Sequence, residues 1–309
     1  MAAASCTAAA GRAYAEYMAD AALIGRVNAP DLHVMTFNIR RRLPTLRPGS
    51  PDRWDTRKAL VGRLLAAEQP SLIGVQEALP DQVEFLSDAL GAGYDWVGRG
   101  RHPDGHDEHN PIFYDAARLR LTDWRQHALS DTPHEHGSRS WGNLTRRVAV
   151  AASFTDTDTG ASVLAVNTHF DHLSRRSRLR SAGFILTLVR DAYRRDPATT
   201  VAVTGDLNTS VNSEVYRRLT APGRLRDSWA AASDRVTPEW GTFSHYRRPQ
   251  PGGTRIDFVL VGPGVDVLSA GINAVRFDGR AASDHEPVQA VLRAAGTPDR
   301  PHPVRPHID

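Results

Sequence analysis

The chain is predicted to be a single α/β domain, on three observations. Short β-rich apolar runs alternate with stretches of helical periodicity from residue 31 to residue 293. No segment of shifted composition interrupts that pattern to mark a linker, and no internal repeat is visible. With 309 residues, 40% hydrophobic and 24% charged, the chain has enough apolar matter for a sizeable core and too much for disorder. No stretch approaches the roughly 20 apolar residues of a membrane span. A lone cysteine, Cys6, excludes disulfide scaffolds and multi-cysteine zinc sites.

In chain order, residues 1–30 are an Ala-rich extension, read either as a peripheral helix on the spacing of Tyr14, Met18, Ala21 and Ala22 or as a flexible lead. They lack the basic start and continuous apolar core of a secretory signal, which with the lone cysteine favours the cytoplasm. The run 31–39 is predicted as a strand, followed by a Pro- and Arg-rich loop. Residues 57–68 form a helix with Leu60, Leu64 and Leu65 on one face. A short buried strand, 71–76, precedes a second helix, 80–90. Strands follow at 148–154, 163–168, 201–204, 255–261 and 288–292, with Thr159-Gly160 as the turn of a hairpin. Between them, 181–194 is a helix facing Phe184, Ile185, Leu188 and Val189 inward. Residues 294–309 are a Pro-rich tail.

Five segments share one design, in which an apolar strand ends and polar residues follow at once. They are TFNIR with Asn38, GVQEA with Glu77, VNTHFDH with His169, Asp171 and His172, VTGDLNTS with Asp206 and Asn208, and SDHEPV with Asp284 and His285. A sixth, RIDFVLV, sets Asp257 inside an apolar strand, where only a partner makes its burial tolerable. One such residue would mean no more than a turn or a helix cap. Six converging at the strand ends of an α/β sheet mark a ligand site. Asn, Asp and Glu are hard oxygen ligands suited to Mg²⁺ or Mn²⁺. There is no P-loop, no nucleophile elbow, no dinucleotide fingerprint and no HExxH zinc pair. Oxygen-ligated metal, histidines and arginines together point to phosphoester hydrolysis. Lys58 is the only lysine; the arginine usage suits phosphate geometry or reflects genome composition, and a net charge of +3 permits phosphate substrates without demanding nucleic acid.

The ordered set TFN, QEA, NTHFDH, GDLN, RIDFVL and SDHEPV resembles the endonuclease/exonuclease/phosphatase superfamily, which includes pancreatic-type deoxyribonucleases, AP endonucleases, neutral sphingomyelinases, inositol polyphosphate phosphatases and deadenylases. The nearest likeness is to bacterial members with an NPIFY segment (110–114), a Ser-Trp-Gly-Asn segment (140–143) and NTHFDH (167–172). The resemblance implies a DNase I-like four-layer α/β/β/α sandwich: two packed, mostly antiparallel sheets with helices outside. It further implies Glu77 as principal metal ligand, with Asn38 beside it and Asp284 as another metal-side carboxylate. Asp206 would activate the attacking water, Asn208 would bind phosphate and orient Asp206, and His285, oriented by Asp257, would meet the scissile phosphate. His169 matches another phosphate-binding position. Arg147 and Arg178 match arginines of the bacterial relatives, and Arg40 and His172 are further candidates for substrate phosphate. Asn38-Ile39-Arg40 departs from the N-x-D pattern of AP endonucleases, and no apolar loop suggests the membrane insertion of secreted sphingomyelinases.

The expected activity is therefore Mg²⁺- or Mn²⁺-dependent hydrolysis of a phosphodiester or phosphomonoester in a small molecule or nucleotide. A nuclease using the arginine cluster 175–180 is the alternative, followed by a biosynthetic enzyme with the metal site turned to another bond and a non-catalytic phosphate binder. Glu108 is a further candidate for the site. Zinc binding by the histidine-rich loop 101–110 is disfavoured, because its spacings fit no ligand pattern. Trp54, Trp141 and Trp240 are read as plugs of hydrophobic edges rather than stacking platforms.

Overall fold

The computed structural model describes residues 22–44 and 47–294; the proposed N-terminal helix on Tyr14 and Met18, and the tail beyond Ala294, lie outside the described residues. Two sheets pack face to face. One runs, edge to edge, through Asp234–Arg235 (β10), Val265–Ile272 (β12), Val288–Ala294 (β13), Leu32–Asn38 (β1), Leu72–Gln76 (β2), Ile112–Asp115 (β4) and Tyr94–Val97 (β3). The other runs through Leu119–Ala128 (β5), Val148–Asp156 (β6), Ser162–His169 (β7), Thr200–Asp206 (β8), Asp257–Val261 (β11) and Arg226–Asp227 (β9). The pairs β1–β2, β7–β8 and β10–β12 are parallel and the other named pairs antiparallel.

Alternation along the strands fills three apolar layers. From β1, Val34 enters the seam between the sheets with Leu72, Val150, Phe154, Val259 and Val288. Met35 and Phe37 point the other way, against Leu64 and Leu65 of α1 (Trp54–Glu68) and Leu86 of α2 (Pro80–Leu90). The second sheet sends Leu164, Val166, Val203 and Phe258 outward against Ile185 and Val189 of α3 (Arg175–Arg195) and Leu219 of α4 (Glu214–Thr220). Buried on both faces, β1, β2, β8 and β11 read as nearly unbroken apolar runs. The four-layer sandwich expected from the resemblance is the observed architecture. No described helix is long and apolar enough to cross a membrane.

The structure adds strands β3, β4, β5 and β12 to those read from the sequence, and it lengthens a helix. Helix α3 starts at Arg175, capped by Ser174 Oγ accepting from Ser177 N at 3.1 Å, because its arginine-rich first turn carries no apolar signal. Strand β5 carries no clear alternation because it is an edge strand with exposed Arg120, Thr122, Asp123 and Arg125 along it. The segment before residue 31 is docked where it is described. Backbone N–H groups of Leu23, Ile24 and Gly25 donate to the buried Glu68 carboxylate at 2.7–3.1 Å, as does Asn273 Nδ2 at 2.8 Å.

One polar plug crosses the inter-sheet seam. Gln76 Nε2 donates to Asn167 Oδ1 at 2.7 Å, Thr204 Oγ1 donates to the same oxygen at 3.1 Å, and Asn167 Nδ2 donates to Val75 O at 2.7 Å. It fits because Gly74 has no side chain: a Cβ there would overlap Thr204 Oγ1 and lie 2.6 Å from Asn167 Oδ1. Gly74→Ala is expected to destabilise the protein by about 1–3 kcal/mol through overpacking. Differential scanning calorimetry reads this as a Tm lower by about 2–4 °C per kcal/mol; an unchanged Tm would show that the seam relaxes.

Candidate active site

Strand register assembles the site at one end of the sandwich. The parallel pair β1–β2 matches Asn38 with Gln76, so Asn38 and the following Glu77 leave the sheet together. In the other sheet His169 is matched with Asp206, and Asp206 in turn with Asp257 on the antiparallel neighbour. Sheet-to-sheet contact closes the gap: Asn38 Nδ2 donates to Glu77 Oε1 and to Asp206 Oδ2, each at 3.1 Å. Glu77 takes a left-handed φ of 65°, which turns the chain at the strand end, and its Oε2 accepts from Arg41 N at 3.1 Å.

The loops bearing Asn38 and Asp284 are bolted together by Arg57. Its guanidinium is buried and donates to Ile39 O at 2.7 Å, Arg40 O at 2.9 Å and Ala282 O at 3.3 Å. Ser283 Oγ adds a bond to Asn38 O at 2.7 Å. The neighbouring loop is tied to the same frame, with Thr242 Oγ1 accepting from Ile256 N at 2.9 Å and Asp257 N at 3.1 Å.

At the centre, His285 Nδ1 lies 2.9 Å from Asp257 Oδ2, and its Nε2 is 3.9 Å from Asp206 Oδ2. Burial works against a charged ring, but the Asp257 carboxylate, with Asp206 and Asp284 nearby, lifts the imidazole pKa to about 10. The Asp206 carboxyl is pushed up to about 7 by burial and by Asp257, against the pull of His285 and a 2.9 Å bond from Asn208 N. His169 is the opposite case: burial, then the cations of Arg147 and Arg101, hold it well below the ordinary histidine range. A neutral His169 accepts at Nε2 from Asn208 Nδ2 at 3.0 Å, and its buried Nδ1 has no partner among the described residues.

These groups surround a cleft of about 390 Å³. Of the residues singled out in the sequence, Arg40, Glu77, Arg147, His169, His172, Asp206, Asn208, Asp284 and His285 line it. Asn38 and Asp257 are buried one layer behind, bonded to lining groups. Arg178 is not among the lining residues; it donates to Asp171 O at 2.7 Å and steadies the loop after β7. Arg147 is buried in the cleft wall, 3.0 Å from His172 Nδ1 and 3.6 Å from Asp171 Oδ2. Arg40, also at a left-handed φ, bonds Asp52 and lies 3.7 Å from Asp284 Oδ2.

The lining also includes Arg41, Arg101, Thr145, Phe243 and Ile256, which the sequence reading passed over, and Glu108. Glu108 accepts from Arg41 at 2.7 Å and pairs with Arg101 at 2.7 Å, so loop 101–110 brings a salt-bridged wall rather than a histidine metal site. Arg101 and Glu108 bracket a Pro- and Gly-bearing turn, which was the available signal. None of the three tryptophans weighed as platforms lines the cleft; Phe243, stacked 4.5 Å from the His285 ring, does.

Among the described residues, Asp206, Asp257 and His285 are a group whose ligand atoms all lie within 4.8 Å. His285 Nδ1 is already engaged with Asp257, so this group is an acid–imidazole relay in form. The fit for a hard cation is better at Glu77 and Asp284. Both offer carboxylate oxygens to the cleft, and Asp284 is pushed up by burial and by the negative charge of Glu77, a repulsion that a divalent ion relieves.

With the ring held by Asp257, metal-free protein is expected to keep His285 cationic past pH 8 and lose that charge as pH rises through about 10. Imidazole ¹⁵N shifts followed against pH read this directly. Asp257→Asn should lower the midpoint by about 1 to 3 pH units; a midpoint near 6.5 in the unsubstituted protein would contradict the pairing.

A family model described as the endonuclease/exonuclease/phosphatase family matches residues 35–285. No curated protein shows a significant sequence match. Among solved structures, an endonuclease/exonuclease/phosphatase from Bacteroides vulgatus is 32% identical, with TM-score 0.77, covering 85% of this chain and 99% of that one. A family protein from Bacteroides thetaiotaomicron is 26% identical, with TM-score 0.78, covering 85% and 94%. A mannosyl-6-phosphatase from the same organism is 27% identical, with TM-score 0.77, covering 84% and 99%.

Proposed function

We propose that this chain, which belongs to the endonuclease/exonuclease/phosphatase family, hydrolyses a phosphoester of a small molecule with the aid of Mg²⁺ or Mn²⁺. The observation that carries this reading is the convergence of a high-pKa carboxyl, Asp206, a cationic imidazole, His285, and oxygen donors, Glu77 and Asp284, on one arginine-walled cleft.

Each residue then has a task. Asp206 is the proton acceptor for the attacking water: its pKa near 7 matches the operating pH, and Asn208 N and Asn38 Nδ2 fix its two oxygens. His285 already holds its proton, so it serves as a fixed cation for the charge that gathers on the phosphoryl oxygens. Asp257 keeps it charged and aimed. Asn208, through its bonds to His169 and Phe170 O, holds the turn that carries it, and His169 offers an unpartnered ring nitrogen. Arg147, Arg40 and His172 meet the substrate phosphate. Glu77 and Asp284, with Asn38 beside them, would hold the divalent ion, which supplies Lewis-acid neutralisation of phosphoryl charge. Attack is in line, by one water, without a covalent enzyme intermediate.

A small substrate is favoured over nucleic acid because the arginine cluster on α3 is largely engaged with the protein. Arg175 pairs with Glu214, Arg180 with Asp131 at 2.8 Å, and Arg178 bonds Asp171 O. The likeness to a mannosyl-6-phosphatase supports a phosphomonoester.

Hydrolysis of 4-nitrophenyl phosphate and bis-4-nitrophenyl phosphate, with each metal and with EDTA, tests the reading. We expect metal-dependent release, abolished by EDTA and reduced about 10²- to 10⁴-fold in kcat by Asp206→Ala, while Arg175→Glu with Arg176→Glu leaves turnover intact. The monoester should be the better substrate. Folded, metal-loaded protein that releases product equally well with Asp206→Ala would sink the assignment. The rate should climb with pH as Asp206 loses its proton, earlier with the ion bound, and fall toward pH 10 as His285 loses its own; an alkaline limb absent at pH 10–11 would argue against a charged His285.

A further inference from the structure

The cleft does not end at the catalytic groups. A second cavity of about 670 Å³ adjoins it, and both share Phe243 and Ile256 as wall residues. The annex is made by the loop between residues 241 and 256, and its charged lining consists of Arg247 and Arg248, with no carboxylate. Both arginines are exposed, and neither makes a side-chain ion pair within the described residues. Their situation differs from the catalytic cleft, where Glu108 already engages Arg41 and Arg101.

The annex is a built feature of the same frame that positions the chemistry. Gly241 and Gly253 face each other so closely that a Cβ on Gly241 would meet Gly253 Cα at 3.1 Å, which lets the two arms of the loop touch. Gly241 N and Gly253 N both donate to Gln250 O at 3.1 Å. Thr242 ties one arm to Asp257, and Ser244 N donates to Asp284 O at 3.0 Å. At the base, Arg276 pairs with buried Glu286 at 2.6 Å and donates to Arg247 O at 2.7 Å. A group seated there is therefore held at a set distance from the Asp206–His285 centre. Phe243, 38% exposed, stands between the two cavities and offers an aromatic face to whatever spans them.

We propose that the substrate is a bisphosphorylated small molecule, whose scissile phosphate sits at Asp206 and His285 and whose second phosphate is received in the annex by Arg247 and Arg248. The spacer lies across Phe243, which both cavities share. Guanidinium forks make paired hydrogen bonds to phosphate oxygens, and two of them without a competing carboxylate favour a dianion over a neutral hydroxyl. This inference rests on the phosphoester reading of the site, and it adds which phosphoesters the site prefers.

Binding separates the two ideas. Titration calorimetry on the full chain, with Asp206→Ala to stop turnover, would give the affinities of glucose 6-phosphate and glucose 1,6-bisphosphate in the presence of Mg²⁺. We expect the bisphosphate to bind about tenfold or more tightly, equivalent to about 1.4 kcal/mol. Adding Arg247→Ala and Arg248→Ala should erase the difference, whereas adding Arg175→Ala and Arg176→Ala, which removes the same charge from α3, should keep it. Equal affinities at the start, or a preference that survives the loss of Arg247 and Arg248, overturn the annex. Failure of the hydrolysis assays while the preference stands would strike the proposed reaction and leave the second phosphate site in place.

Discussion

Asp206 and Asp257 are directly opposite partners on antiparallel strands, both almost wholly buried, and two carboxylates so placed cannot ionise together without a cation. His285 is that cation. It is brought in by the segment before β13, bonded to Asp257 on one ring nitrogen and left facing Asp206 with the other. The charge state of the whole site follows from this triad: a proton stays on the imidazole, and Asp206 sits near neutrality. His169, hemmed by Arg147 and Arg101 instead of by acids, is forced neutral. Two histidines of similar burial thus end in opposite charge states because their nearest charged neighbours differ in sign.

Such a triad needs a frame that does not yield, and the frame is polar. Between the sheets, Gln76 Nε2 and Thr204 Oγ1 both donate to Asn167, with Gly74 providing the room. Beneath the loops, Arg57 spends its guanidinium on backbone carbonyls from two separate segments. Buried hydrogen bonds of this kind hold their donors and acceptors to one arrangement, because breaking them without water is costly. Here they fix the two sheet ends against each other, so that Asn38 from one sheet reaches Asp206 from the other.

Around the frame the arginines divide by what they already hold. Arg57 serves the backbone, Arg41 and Arg101 share Glu108, Arg40 is set between Asp52 and Asp284, and the α3 arginines are tied mostly to Glu214, Asp131 and a carbonyl. Abundance of arginine is therefore a poor guide to function in this chain. Whether an acid already answers the guanidinium is the better one, and it directs attention to the loop bearing Arg247 and Arg248.

The sequence by itself determined the fold class, the family and the chemical character of the site. Alternation of strands and helices is local information, and the ordered motifs carrying Asn38, Glu77, His169, Asp206 and Asn208 end or follow an apolar strand, while Asp257 and the Asp284–His285 pair lead into one, so strand ends announced them. Other members of the cleft had no such announcement. Arg41, Arg101, Glu108 and Phe243 sit in loops of mixed polarity, where one arginine looks like another, and Arg178 carries the same local signal as Arg147 although it turns to a carbonyl outside the lining. Edge strand β5 and the first turn of α3 were equally silent, because their faces are polar. What only the tertiary structure decided was register and partnership: which carboxylate lies opposite which, which histidine keeps its proton, and which arginines remain unanswered. Those are properties of distances between segments far apart in the chain, and hydrophobic patterning, which reports one segment's burial at a time, does not encode them.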